Sequence, residues 1–171
     1  MRLYDADAHI VEPPDLFESR LPARFRELAP KVVRRSAELD VWSFDGGKRT
    51  APLNMLLSTP GISPERWTLA GTTYEQIRRG AFDPQARLAD MDVDMIWAQV
   101  LHPSIALGGS VTFAAHDDEL QRLCAAAYND WLSGFCSASP ERSAGRLSAW
   151  FMVLLLLAWR RVGGGQWRSL A

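Results

Sequence analysis

Asp83-Pro84-Gln85-Ala86-Arg87-Leu88-Ala89-Asp90-Met91-Asp92-Val93-Asp94-Met95-Ile96-Trp97-Ala98-Gln99-Val100-Leu101-His102-Pro103 is the stretch on which the fold turns. It opens with an Asp able to cap a helix, followed by a proline in the first helical turn, where the missing N–H costs nothing. Leu88 and Met91 then supply the buried face of a short helix. After Asp92-Val93-Asp94, residues 95–101 are mostly apolar and end at His102-Pro103, the pattern of a strand buried on both faces.

Downstream, Gly108-Gly109 marks a turn. A second helix is predicted over residues 117–137, with Leu120, Leu123, Cys124, Ala127, Tyr128, Trp131 and Phe135 at helical spacing and Pro140 beyond its end. Upstream, residues 2–7 read as a short first strand, and Pro13-Pro14 stops regular structure soon after it. Residues 16–80 carry Pro22, Pro30, Pro52, Pro60 and Pro64 and the turn signal Asp45-Gly46-Gly47. They read as a long excursion of short helices with a small hairpin around residues 41–44. Strand, long connection with helix, strand, helix is the rhythm of a parallel sheet flanked by helices, so the fold class is α/β.

The 171 residues suit one domain, and a hydrophobic content of 47% is enough for a real core. Lys and Arg total 19 against 20 Asp and Glu, a net charge of −1. That balance offers no pull toward nucleic acid or an anionic membrane, and a small molecule or another chain is the expected partner. Residues 1–7 are charged and lack the apolar stretch of a signal peptide, so a cytoplasmic location is expected. Cys124 and Cys136 fall on one predicted helix, where twelve residues of rise separate them by roughly 18 Å, too far for a disulfide.

Asp7-Ala8-His9 is the first chemical candidate. Alternate residues of a strand point to one side, so Asp7 and His9 can present a carboxylate and an imidazole together, a start for a zinc, iron or manganese site. The bland alternative is a turn in which both face water. Glu12 can reach back toward the same site as an orienting group or base, or be a solvated loop carboxylate. His102 ends the second strand, where parallel folds bind ligands, and reads either as a substrate contact or as a ring packed beside Pro103. His116 precedes Asp117-Asp118 at a helix start and reads as a solvated residue near a cap. Arg34-Arg35 and Arg78-Arg79 read as solvated faces. The carriers of serine-hydrolase, nucleotide-hydrolase and dinucleotide chemistry are missing from the sequence.

Three landmarks in order make a resemblance. Residues 4–17 (Tyr4-Asp5-Ala6-Asp7-Ala8-His9-Ile10-Val11-Glu12-Pro13-Pro14-Asp15-Leu16-Phe17) resemble the opening of the amidohydrolase-related family, the amidohydrolase branch that includes aromatic-acid decarboxylases. Phe82-Asp83-Pro84 with residues 87–92, then Ala98-Gln99-Val100-Leu101-His102-Pro103-Ser104, resemble its next landmark. Tyr128-Asn129-Asp130-Trp131-Leu132, Phe135-Cys136 and Pro140-Glu141-Arg142 resemble a third. The resemblance implies the amino-terminal part of a (β/α)8 TIM barrel with one divalent metal, Zn, Mn or Fe, at the carboxyl ends of its strands. It makes Asp7 and His9 the first metal ligands; Glu12 and His102, read from their own positions, remain the catalytic candidates. It also implies hydrolysis of C–N or C–O bonds, or decarboxylation, of a small carboxylic or amide-type substrate.

The pattern is lost after Arg142. A (β/α)8 barrel takes roughly 250 residues, and this sequence has room for about three of its strands. Beyond His116 there is no histidine, and beyond Asp130 no aspartate, to serve as the family's later ligands. With two ligands, metal binding is expected to be weak; tight binding would point to His102 or His116 as a third. Residues 1–142 are thus expected to form the barrel part and residues 143–171 an atypical tail. Residues 149–159 are eleven apolar residues in a row, short of the roughly 20 of a membrane span. They read as a buried strand or core helix, or else as a membrane attachment. The codons of Gln166-Trp167-Arg168-Ser169-Leu170, shifted by one base, can spell Ala-Val-Ala-Glu-Leu, which suggests a frame change near Arg142. The expected consequences are poor activity and self-association through open barrel edges.

Overall fold

The computed structural model describes residues 2–53, 60–67, 72–104 and 117–143. Strand β1 (Leu3–Ile10) lies parallel to a later strand, and between them the chain builds a separate antiparallel sheet: β2 (Lys31–Ser36), β3 (Leu39–Phe44) and β4 (Arg49–Pro52). Helix α1 (Pro84–Val93), strand β5 (Ile96–Pro103) and helix α2 (Asp118–Cys136) follow. The described residues are therefore a mixed α/β structure with one parallel and one antiparallel sheet.

Both helices begin where local chemistry says they should. The Asp83 carboxylate accepts the Ala86 N–H at 2.9 Å ahead of Pro84, and the Asp117 carboxylate accepts the Leu120 N–H at 2.9 Å. Each cap satisfies a donor that has no partner inside its helix. Helix α2 buries Leu120, Cys124, Ala127, Tyr128, Leu132 and Phe135, and Trp131 packs at the margin of that face. Both cysteines are free and buried.

Strand β1 runs further than the predicted 2–7 and carries His9 within it. Its pairing with β5 sets Ala8 opposite Leu101, His9 opposite His102 and Ile10 opposite Pro103, with an irregularity between Asp5 and Ala8. At that irregularity the Asp5 carboxylate takes the N–H of Asp7 at 3.0 Å. Ala8 and Ile10 face the core with Leu16, Phe17, Leu101 and the buried face of α2.

Strand β5 begins one residue later than expected. Met95 has φ of 58° and is 77% exposed, so it is a left-handed turn residue after α1. The strand is also not buried on both faces: Gln99, Leu101 and Pro103 are buried while their neighbours are partly open. Its other edge is engaged by the segment after α2, where the Gln99 N–H donates to the Arg142 carbonyl at 2.9 Å and Ser143 forms a parallel bridge to Gln99. The Arg142 guanidinium donates to the carbonyls of Ile96 and Trp97, each at 3.0 Å, and pairs with Asp92 at 2.7 Å.

The excursion holds more sheet than the predicted small hairpin. Residues 41–44 do lie in a hairpin, but as the central strand of three. The turn into β4 passes through Asp45, Gly46 and Gly47 at φ of 52°, 67° and 92°, a run of left-handed backbone that explains the two glycines. Trp42 lies 6.3 Å from Phe17 and 6.5 Å from Phe44, and these rings join the sheet to the common core. Asp40 is 4% exposed; its carboxylate takes the Arg34 guanidinium and the Tyr74 N–H at 2.8 Å, tying β3 to the segment before α1. His116 and the apolar run 149–159 lie outside the described residues.

Candidate functional site

The alternation of β1 puts Ala8 and Ile10 inside and leaves Asp7 and His9 together on the other side. His9 Nε2 is 3.6 Å from Asp7 Oδ1, with side-chain exposures of 28% and 83%. Parallel pairing brings His102 beside them, its Nε2 lying 3.9 Å from the same Asp7 oxygen. The two imidazoles have centroids 6.0 Å apart and planes tilted by 47°. His102 Nε2 also sits 3.1 Å from the Ala6 carbonyl oxygen. Three of the four residues singled out from the sequence therefore meet at the carboxyl end of the parallel pair. His102 is not simply a ring packed beside Pro103. The donor set, one carboxylate and two imidazoles, suits a borderline divalent metal. Among the described residues, however, no group of three or more His, Cys, Asp or Glu side chains is placed to hold a metal ion.

Glu12 is completely buried, not a solvated loop carboxylate, and its Oε1 accepts the Ser104 N–H at 3.1 Å. Glu12 follows β1 and Ser104 follows β5, so the contact joins the two chain segments that leave the carboxyl end of the sheet. The Tyr74 and Tyr128 phenols are pushed well above their ordinary range, first by burial and then by the negative charge of Glu12. Their hydroxyls and Ser104 Oγ are buried and have no hydrogen-bond partner among the described residues. Glu12 thus sits in a closed polar interior behind the strand ends.

A cleft of about 430 Å³ opens beside β1 and α1, lined among others by Asp5, Asp7, His9, Arg87, Asp90 and Gln99. Its inner wall is a polar chain. Gln99 Nε2 donates to Asp5 at 3.3 Å, and the Arg87 Nε–H donates to Gln99 Oε1 at 2.7 Å. Burial lowers the Arg87 pKa, while Asp5, Asp90 and Asp94 oppose that shift. At the rim Arg78 grips Asp90 with two hydrogen bonds of 2.8 and 2.6 Å, and those bonds hold the Asp90 carboxyl below its usual range. The sequence reading took Arg78 for part of a solvated face and passed over Gln99. A lone amide inside the apolar run 95–101 was the available signal.

No family model matches this chain, and no curated protein does. Its fold is similar to the crystal structure of an amidohydrolase from Mycobacterium avium subsp. paratuberculosis, with a TM-score of 0.56 over 92% of this chain and 18% sequence identity. The chain spans 47% of the length of that protein. The likeness is one of fold.

Proposed function

We propose that this chain carries the first metal ligands, Asp7 and His9, of a metal-dependent hydrolase or decarboxylase of the amidohydrolase type, built on the amino-terminal strands of a (β/α)8 barrel. The observation that carries the reading is the meeting of Asp7, His9 and His102 at the carboxyl end of two parallel strands, where barrel enzymes place their chemistry. The fold likeness to an amidohydrolase supports it. A bound Zn, Mn or Fe would polarise a carbonyl or carboxylate of a small carboxylic or amide-type substrate. The chain's own residues do the positioning. Asp7 and His9 offer donors from one strand face, the Ala6 carbonyl orients the His102 ring, and Glu12 holds the two exit segments together through Ser104.

The test is to load the purified chain with each metal and follow CO2 release from small aromatic acids and ammonia release from small amides. Turnover that disappears in His9→Ala supports the reading; silence with every metal and substrate counts against it. A second reading is a non-catalytic chain acting only by association with another. Co-purification with a complete homologous barrel, without turnover in the isolated chain, would select it.

Among the described residues no helix is long and apolar enough to cross a membrane.

A further inference from the structure

We propose that Arg87, Gln99 and Asp5 are positioning residues for the strand-end cluster: their hydrogen-bonded relay holds a one-residue bulge in β1 that sets His9 beside His102. The inference rests on the reading of Asp7 and His9 as the working residues and adds to it what fixes their direction. Its first support is register. From the pairing of Asp5 with Gln99 to that of Ala8 with Leu101, β1 advances three residues while β5 advances two. One residue of Ala6-Asp7 is therefore extra, and an extra residue exchanges the two faces of a strand. Asp5 shares a face with Gln99, Ala8 shares that same face with Leu101, and His9 falls opposite His102. Without the bulge His9 would fall opposite Pro103, on the buried face of the pair.

The second support is polarity. Gln99 is 6% exposed within an apolar run, where an amide is costly unless both of its ends are bonded. A guanidinium only donates and a carboxylate only accepts, so the amide has a single orientation. Its Oε1 takes the Arg87 Nε–H at 2.7 Å, and its Nε2 donates to Asp5 Oδ2 at 3.3 Å. Arg87 is itself tied to the Gly80 carbonyl at 3.4 Å, which anchors the relay to α1 and the segment before it. The third support is where the relay ends. Asp5 Oδ1 accepts the Asp7 N–H inside the bulge at 3.0 Å, and the Ala6 carbonyl of the same bulge accepts from His102 Nε2 at 3.1 Å. The chain of contacts thus runs from a buried guanidinium on α1 to the imidazole at the end of β5.

The experiment uses the full chain with neither metal nor substrate added. Two-dimensional NMR follows the Asp7 amide and the His9 and His102 imidazoles in Asp5→Asn, in Gln99→Glu and in the double variant. Asp5→Asn must turn its NH2 against either Gln99 Nε2 or the Asp7 N–H, and Gln99→Glu sets an acceptor against the Asp5 acceptor. Each single variant should therefore raise Asp7 amide exchange about tenfold, the loss of one hydrogen bond, and shift both imidazole spectra. The double variant reverses the polarity of that one bond and keeps an acceptor for Arg87 and for the Asp7 N–H. Exchange and spectra should then return to those of the parent, a recovery that packing alone does not give, because both substitutions keep side-chain size. Unchanged exchange and spectra in both single variants overturn the relay, as does a double variant no nearer to the parent than the singles. If circular dichroism shows a single variant to be unfolded, a folded double variant with parental signals upholds the proposal and an unfolded one overturns it. Failure here leaves the turnover test of the proposed function standing, and a chain that passes here but turns nothing over counts against that function alone.

Discussion

The parallel pair β1 and β5 and the antiparallel sheet β2–β4 share one core but are held by different means. The first joins segments far apart in sequence, pairing Leu3 with Ile96 and Ile10 with Pro103, and local signals such as the Asp83 cap only prepare its second strand. The second pairs neighbouring segments in two hairpins and is tied to the rest of the core by distant contacts. Asp40 reaches the Tyr74 N–H across 34 positions, and the rings of Trp42 and Phe44 pack with Phe17. The candidate chemistry lies on the long-range parallel pair, and the antiparallel sheet packs against the same core.

The comparison can be broken by removing one residue from each side. Leu101→Ala empties a position that is 1% exposed in the shared core and should cost about 2–5 kcal/mol, lowering the urea midpoint and loosening both sheets in hydrogen exchange. Asp40→Ala strips a buried acceptor from the Tyr74 N–H and should cost about 1–3 kcal/mol. Its exchange protection should fall in β2–β4 and leave β1 and β5 unchanged; equal loss in both sheets would show that the two regions are one cooperative unit.

Smaller effects sharpen the contrast within the parallel part. Met95→Gly relieves left-handed backbone at φ of 58° and should stabilise by up to about 1 kcal/mol in thermal unfolding, because a side chain in that conformation is strained. Asp90 contributes through a carboxyl whose folded pKa is depressed by Arg78. The contribution is present above about pH 4, the ordinary carboxyl value, and is lost as pH falls through the lower folded value. Both groups are partly exposed, which limits the effect to less than about 1 kcal/mol. Asp90→Asn should flatten that acid limb. Gly80→Ala should do the same, since a Cβ there would stand 2.0 Å from the Asp90 carboxylate. The Cys124 thiol, pushed up to about 12 by burial, should resist a thiol reagent at pH 8 until the chain unfolds.

Legibility in the sequence followed the range of the interactions. Asp83 and Asp117 could be read as caps because their acceptors serve donors three residues on. Asp7 and His9 could be placed on one side from strand alternation alone. Strand β2 was hidden because Lys31, Arg34 and Arg35 break its apolar pattern and its far end is exposed. Glu12 could not be seen as buried, because its Ser104 partner is 92 residues away. The approach of His102 to Asp7 is likewise a product of strand pairing, not of spacing. Phe135 on α2 is 6% exposed, whereas Val93 and Met95 are 78% and 77% exposed near the amino end of β5.

Arg142 imposes an order of events on synthesis. Its guanidinium occupies two carbonyls on the edge of β5 that faces away from β1, the part of a sheet on which a foreign strand would otherwise grow. The plug arrives 45 residues after Trp97. At ribosomal rates of roughly 5–20 residues per second, β5 would wait roughly 2–9 s with that edge bare. A substitution such as Arg142→Ala would strip the two side-chain contacts at the start of β5 and leave the backbone pairing of Gln99 with residues 142 and 143.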